Sequence, residues 1–153
     1  MIEFYKPDLD ELWFKAKLLG DAQTMAYNHA YGGTIPFPEA RWGAWYERWI
    51  ANPEGKRFYR YIRVGDTFVG EAACHFDDDR KIYLADVIVY APFRGKGYGR
   101  EALLLLCDTA RKNGVTALYD DIAIDNPAAA LFLACGFCEV GRTDECVTVK
   151  KDL

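Results

Sequence analysis

The chain has 153 residues, 51% of them hydrophobic and 27% charged, with a net charge of −4. That length accommodates one domain with a sizeable core, spanning residues 1–153. The charge argues against a general nucleic-acid binder, because a polyanion is repelled outside a local basic patch, and no apolar run reaches the ~18 residues of a membrane span.

Residues 2–6 read as a first strand. Asp8 and Glu11 form a capping box for a helix whose apolar stripe is Leu9, Leu12, Trp13, Ala16 and Leu19, broken at Gly20-Asp21. A second helical piece covers 22–31. Pro38 opens a helix over 38–51 that carries Trp42, Trp45, Tyr46 and Trp49 on one face. That face suits the core, or, together with Tyr27, His29 and Tyr31, the wall of an acceptor pocket; as a third option it forms the contact of a homodimer.

Three strands follow, 57–64, 67–76 and 81–90, the first two joined at a Gly65-Asp66 hairpin turn. The acidic turn at Asp77-Asp78-Asp79 lacks the remaining positions of a calcium loop. Beyond a glycine-rich turn, a helix to about residue 112 presents Leu103, Leu106, Cys107 and Ala110 on one stripe and closes at Asn113-Gly114. A strand at 115–124, a helix at 127–135 and a closing hairpin of 137–140 with 146–150 complete the chain. The order β-α-α-β-β-β-α-β-α-β-β is that of an α/β or α+β domain with helices on both faces of one mixed sheet.

Five cysteines, 74, 107, 135, 138 and 146, form an odd number without a secretory signal, which reads as free thiols in a reducing cytoplasm. Cys135 and Cys138 have C-x-x-C spacing, but no second pair or nearby histidine completes a zinc site, so no metal is expected.

The stretch from Val87 to Leu106 organises the rest. A strand, Val87-Ile88-Val89, leads through Arg94-Gly95-Lys96-Gly97-Tyr98-Gly99-Arg100 into the helix. Glycine lets the backbone turn tightly and come close to a ligand. The first amides of a helix have no intrahelical partner and its dipole favours an anion. With Arg94, Lys96 and Arg100 nearby, the combination is a phosphate cradle. The P-loop and dinucleotide patterns are both absent.

What stands here is R-x-x-G-x-G, at Arg94, Gly97 and Gly99. It resembles the pyrophosphate loop of the GNAT superfamily of acyl-CoA-dependent N-acyltransferases. Downstream, Ile122-x-x-x-Asn126 through Leu131-Phe132 to Gly136-Phe137 resembles the second signature of the same family. The resemblance covers nearly all of the chain, most strongly 81–140. It implies a mostly antiparallel central sheet and an acetyl-CoA site. The 94–99 amides would hold the pyrophosphate, Val87–Val89 would pair with pantetheine, a backbone N–H near Val87 or Val89 would polarise the thioester carbonyl, and Asn126 would contact the cofactor arm.

The departures matter too. Asn126 to Gly136 is one residue shorter than the usual pattern, and Phe132 stands where many relatives have a tyrosine that protonates the departing thiolate. Phenylalanine donates no proton. Thiolate then leaves unaided, or Tyr119, Tyr98 or water serves, while Phe132 packs against the cofactor arm. For the base, the resemblance points to Tyr83; Asp86, on the opposite face of its strand unless a bulge intervenes, and Glu71, on the preceding strand, are the alternatives. The expected activity is acetyl transfer to a primary amine of a small or peptide acceptor by direct attack. The acids near the cleft (Glu71, Asp86, Asp120, Asp121, Asp125) favour a cationic acceptor. The alternative is an acyl-CoA-binding regulatory module without turnover, motivated by Phe132 and by the lack of a defined base.

Overall fold

In the computed structural model, which describes all 153 residues, seven strands form one sheet in the order β1-β2-β3-β4-β5-β7-β6. The strands are β1 (Glu3–Tyr5), β2 (Arg57–Val64), β3 (Thr67–Asp77), β4 (Ile82–Val89), β5 (Ala117–Ala123), β6 (Cys138–Arg142) and β7 (Cys146–Asp152). All neighbours are antiparallel except β4 and β5. A parallel pair needs a crossover, and α3 (Tyr98–Lys112) supplies it.

Helices cover both faces. On one, the predicted α3 stripe of Leu103, Leu106, Cys107 and Ala110 packs with Phe132 and Cys135, at the end of α4 (Ala128–Ala134), against Ala85, Leu118 and Ile122. On the other face, α1 (Trp13–Gly20) and α2 (Trp42–Tyr46) pack over Tyr59, Tyr61, Ala73 and Ile88. Between α1 and α2 lies a 3₁₀ segment, Thr24–Tyr31, and α2 ends in a π turn at Glu47–Ala51. No helix is long and apolar enough to cross a membrane.

Two sequence expectations are resolved by this packing. The first helix buries Leu12, Phe14, Lys15, Leu18 and Leu19, while Leu9 and Trp13 are nearly half exposed. The stripe is rotated because Lys15 turns inward to meet Glu71, 3.0 Å from its carboxylate. The aromatic face of α2 belongs to the core: Trp45 meets Tyr59 edge-on at 4.7 Å between ring centroids and stacks on Trp49 at 6.1 Å.

The feature that positions the site is a gap. β4 and β5 pair only at Tyr83↔Leu118 and Leu84↔Tyr119. Beyond that point β4 stays registered on β3 as far as Val89 and β5 stays on β7 as far as Ala123, so the sheet opens like a V. Tyr90 N–H donates to Val69 of β3. Backbone direction alternates along a strand, so the amides of Val87 and Val89 face the gap. Gly70, opposite Val89, allows β3 to press close there: a Cβ on it would sit 2.2 Å from the Ile88 carbonyl oxygen.

Candidate active site

The splayed strands, the start of α3, the start of α4 and the 3₁₀ segment enclose a cleft of about 860 Å³. At one end is the glycine turn. Gly97 takes φ 86° as the residue before α3, a left-handed conformation that favours glycine. As a result the N–H groups of residues 95–100 find no acceptor in the backbone or in any side chain. Six consecutive orphan donors at the head of a fifteen-residue helix are a fitted seat for phosphate oxygens. The residues present therefore suit a pyrophosphate-bearing co-substrate, and the open amides of β4 suit the amides of a pantetheine arm.

Arg94 acts differently from the sequence expectation. Its guanidinium donates to the carbonyls of Val89 at 3.2 Å, Gln23 at 3.4 Å and Thr24 at 2.8 Å. Ala91 N–H adds a bond to Thr24 Oγ1 at 3.0 Å. The arginine thus ties the cradle to the 3₁₀ segment. Lys96 is exposed and lies outside the cleft lining, whereas Arg100 and Tyr98 are part of it. Asn126 also lines the cleft, and its Oδ1 accepts the Ala128 N–H at 2.9 Å, fixing the start of α4. Phe132 has one edge on the cleft, while its ring packs edge-on against Phe137 at 4.9 Å in the core.

The three candidates for a base separate cleanly. Tyr83 donates to the Gly55 carbonyl at 3.1 Å, packs on Phe76, and does not line the cleft. Glu71 is 4% exposed, paired with Lys15, and accepts the Tyr59 hydroxyl; it too is absent from the lining. Both placements correct the sequence expectation, because each side chain is consumed by a partner that sequence spacing does not reveal. Asp86 alone opens on the cleft. β4 has no bulge, so Asp86 shares a face with Ile88 and opposes Tyr83, Ala85 and Val87. Solvent reaches its carboxylate, but the cleft walls displace much of its hydration shell. Burial first and the neighbouring Glu71 charge second push it up to about 6, against the pull of Lys15.

Asp120, Asp121 and Asp125 line the same half. Asp121 is held by Arg80 at 2.7 Å and by Thr148 at 2.7 Å, and Asp125 meets His29 Nε2 at 2.7 Å across the mouth of the cleft. Tyr27, on the wall formed by the 3₁₀ segment, has its hydroxyl pushed up, chiefly by burial and then by Asp86. Tyr119 is not part of the lining; its ring lies 5.6 Å from Lys150 Nζ.

Residues 21–137 match the acetyltransferase (GNAT) family. The chain belongs to that family. Among solved structures, the GNAT fold here superposes on the spermidine N-acetyltransferase of Vibrio cholerae, determined with CoA and spermine, with a TM-score of 0.81 at 16% identity, covering 99% of this chain and 95% of that one. It is also similar to the ribosomal-protein-alanine N-acetyltransferase of Brucella melitensis (TM-score 0.78, 23% identity, 100% and 99% covered). A third is the yncA protein of Salmonella typhimurium with its cofactor acetyl-CoA (0.76, 20%, 99% and 93%). At these identities the likeness establishes the GNAT fold. A comparison with curated protein sequences finds no match.

Proposed function

We propose that the protein transfers an acetyl group from acetyl-CoA to a primary amine, the two substrates meeting in one ternary complex. The observation that carries this reading is the pairing, in one cleft, of the orphan amides at 95–100 with the open carboxylate of Asp86 at the splay. Acetyl-CoA supplies an acetyl group activated as a thioester. The amides at the head of α3 hold its pyrophosphate, and the gap-facing amides of Val87 and Val89 orient the arm and donate to the thioester oxygen. Asp86 accepts the proton that the amine loses as the C–N bond forms and the C–S bond breaks. The departing thiolate is a tolerable leaving group, with an ordinary thiol pKa of ~8.5. Tyr98 is the hydroxyl on the cleft lining nearest in sequence to the cradle, and it or water returns a proton to sulfur. Phe132 cannot.

The test is calorimetric titration of acetyl-CoA, CoA and ATP, followed by thiol release with an amine panel. Acetyl-CoA binding with CoA release from an amine is the expected result. Gly97→Glu should abolish acetyl-CoA binding while the protein stays folded, since a side chain there meets nothing within 4 Å and the strain of the left-handed backbone costs about 1–2 kcal/mol. Unchanged affinity in that variant removes the cradle assignment. Binding without release from any amine favours the regulatory module, for which Phe132 is the supporting feature.

A further inference from the structure

The 3₁₀ segment Thr24–Tyr31 walls the cleft from Ala26 onward, yet little of it is embedded in the protein. Only Thr24 and Met25 are buried, at 0% and 1% exposure. Beyond them the segment bonds to its own return loop, through Asn28 Nδ2 to the Gly33 carbonyl at 2.8 Å, and to Asp125 through the exposed His29. Thr24 supplies its buried polar ties to the sheet. The Thr24 hydroxyl donates to Asp21 at 2.5 Å and accepts the Ala91 N–H at 3.0 Å, while its carbonyl accepts from Arg94 at 2.8 Å. Arg94 in turn reaches the Val89 carbonyl at the end of β4. One buried threonine thus joins this wall to the strand end and to the first residue of the cradle turn. A 3₁₀ turn has three residues, so positions i and i+3 line up, and Tyr27 stands one turn beyond Thr24 on the same side. Tyr27 packs with the core group that includes Ile88 and Ala73, on the face of the sheet that also carries Asp86. Its hydroxyl makes no hydrogen bond within the chain and is reached from the cleft.

Resting on the acetyltransferase reading above, we infer that Thr24 and Arg94 are positioning residues, which hold Tyr27 where its hydroxyl meets the acceptor amine beside Asp86. Tyr27 touches the acceptor, and Thr24 and Arg94 act only through it. A phenol hydroxyl both donates and accepts. It can take one N–H of the amine, leaving the nitrogen lone pair aimed at the thioester carbon while Asp86 receives the proton. Displacing such a group by about 1 Å costs on the order of 100-fold in rate, so a fastener one helical turn away from the contact controls the reaction without joining it. The same brace borders the cradle turn, and the acceptor wall is thereby built on the frame that seats the co-substrate.

The experiment uses the full-length protein as wild type, Thr24→Val, which keeps the shape and loses the hydroxyl, Thr24→Ser, which keeps the hydroxyl, and Tyr27→Phe. Acetyl-CoA affinity is measured by calorimetry and hydrogen exchange by mass spectrometry on the CoA complex. Kinetics use hexylamine, benzylamine and tetra-alanine, taking the acceptor that wild type acetylates fastest. Thr24→Val should bind acetyl-CoA within about twofold of wild type. Its amides at 24–31 should exchange at least about tenfold faster, with those of β3 and α3 unchanged, and its kcat/KM for the amine should fall about 10- to 100-fold. Thr24→Ser should restore both. Tyr27→Phe should lose about tenfold in kcat/KM, the scale of one hydrogen bond, and adding Thr24→Val to it should cost little more. Arg94→Lys, whose compact ammonium cannot span three carbonyls, should show the same split and carries the test if Thr24→Val does not fold. Unchanged exchange over 24–31, exchange raised equally throughout the protein, an unchanged amine kcat/KM, or additive losses in the double variant overturns the inference. If wild type binds acetyl-CoA but acetylates none of the three amines, the inference fails while the cradle stands. If acetyl-CoA does not bind, the acetyltransferase reading itself has failed.

Discussion

Glu71 and Asp86 are near neighbours on one face of the sheet, yet they occupy opposite chemical conditions. Their strands pair antiparallel, with Glu71 opposite Ile88 and Ala73 opposite Asp86. Glu71 is sealed: Lys15, Tyr59 and a roof of Phe37 and Trp45 close over it, with Lys15 Nζ 5.0 Å from the Trp45 ring and 4.8 Å from that of Tyr59. Asp86, two residues before the rung that Glu71 occupies, faces a cleft with no cation assigned to it. One acid is spent on holding the helical layer to the sheet, and the other is left available for chemistry. What separates them is where β5 stops pairing with β4, not residue type.

The sharpest way to break the contrast is to strip Glu71 of its cation. Lys15→Met should cost about 3–5 kcal/mol, because it strands a buried charge, and the double variant Lys15→Met/Glu71→Leu should recover most of that loss. Denaturant unfolding reads both. A small effect for Lys15→Met would mean that the two acids are less different than their burial indicates. Asp86→Asn acts on the other member. It should lower kcat/KM by about 10²–10⁴ with acetyl-CoA affinity unchanged. In the unsubstituted protein the activity should fall as pH drops through about 6, where Asp86 takes up its proton. Retention of activity in Asp86→Asn at pH 7 would move the base elsewhere. Tyr59→Phe removes a hydroxyl donated to Glu71 and should cost about 1–2 kcal/mol.

The smallest expected effect has the opposite sign. Asp86 is raised in the folded protein, so its ionised form is disfavoured there. The penalty is complete above about pH 6 and vanishes below the ordinary value of 3.8. Asp86→Asn should therefore stabilise the protein at neutral pH, by on the order of 1 kcal/mol once screening by the open cleft is counted, and the gain should disappear by pH 3.5. Melting temperatures at pH 7 and 3.5 check both.

Much of this was legible in the residues. The strand and helix order follows from alternation, glycine turns and caps. The glycine turn ahead of a leucine-rich helix could be placed from Gly97 and Gly99, and Asn126 lines the cleft at the start of α4, where the second motif puts it. The α3 stripe could be read because a long helix packed on one side repeats its apolar face several times. The first helix was misread for the converse reason. Its buried face includes Lys15, and a charged residue is counted as solvent-facing unless its partner, 56 positions away, is known. Tyr83 and Glu71 could not be told from Asp86 for the same cause: each is silenced by a distant contact, Gly55 in one case and Lys15 in the other. Gly70 gave no signal either, since only the nearness of the Ile88 carbonyl shows why it has no side chain. Patterns along the chain report local geometry, whereas the availability of a functional group is decided across it.

The cradle at the head of α3 is made of main chain. Arg94, the residue that looks most like a phosphate ligand, spends its donors on three carbonyls, so the donors left open at the turn are peptide groups. Peptide groups are common to all residues, so such a seat tolerates drift in nearly every neighbouring side chain, provided the glycine geometry and the arginine brace persist. Ancestry can therefore fade from most of the sequence while the handle for the shared substrate stays in place, and descendants are free to redesign the opposite end of the cleft for new acceptors.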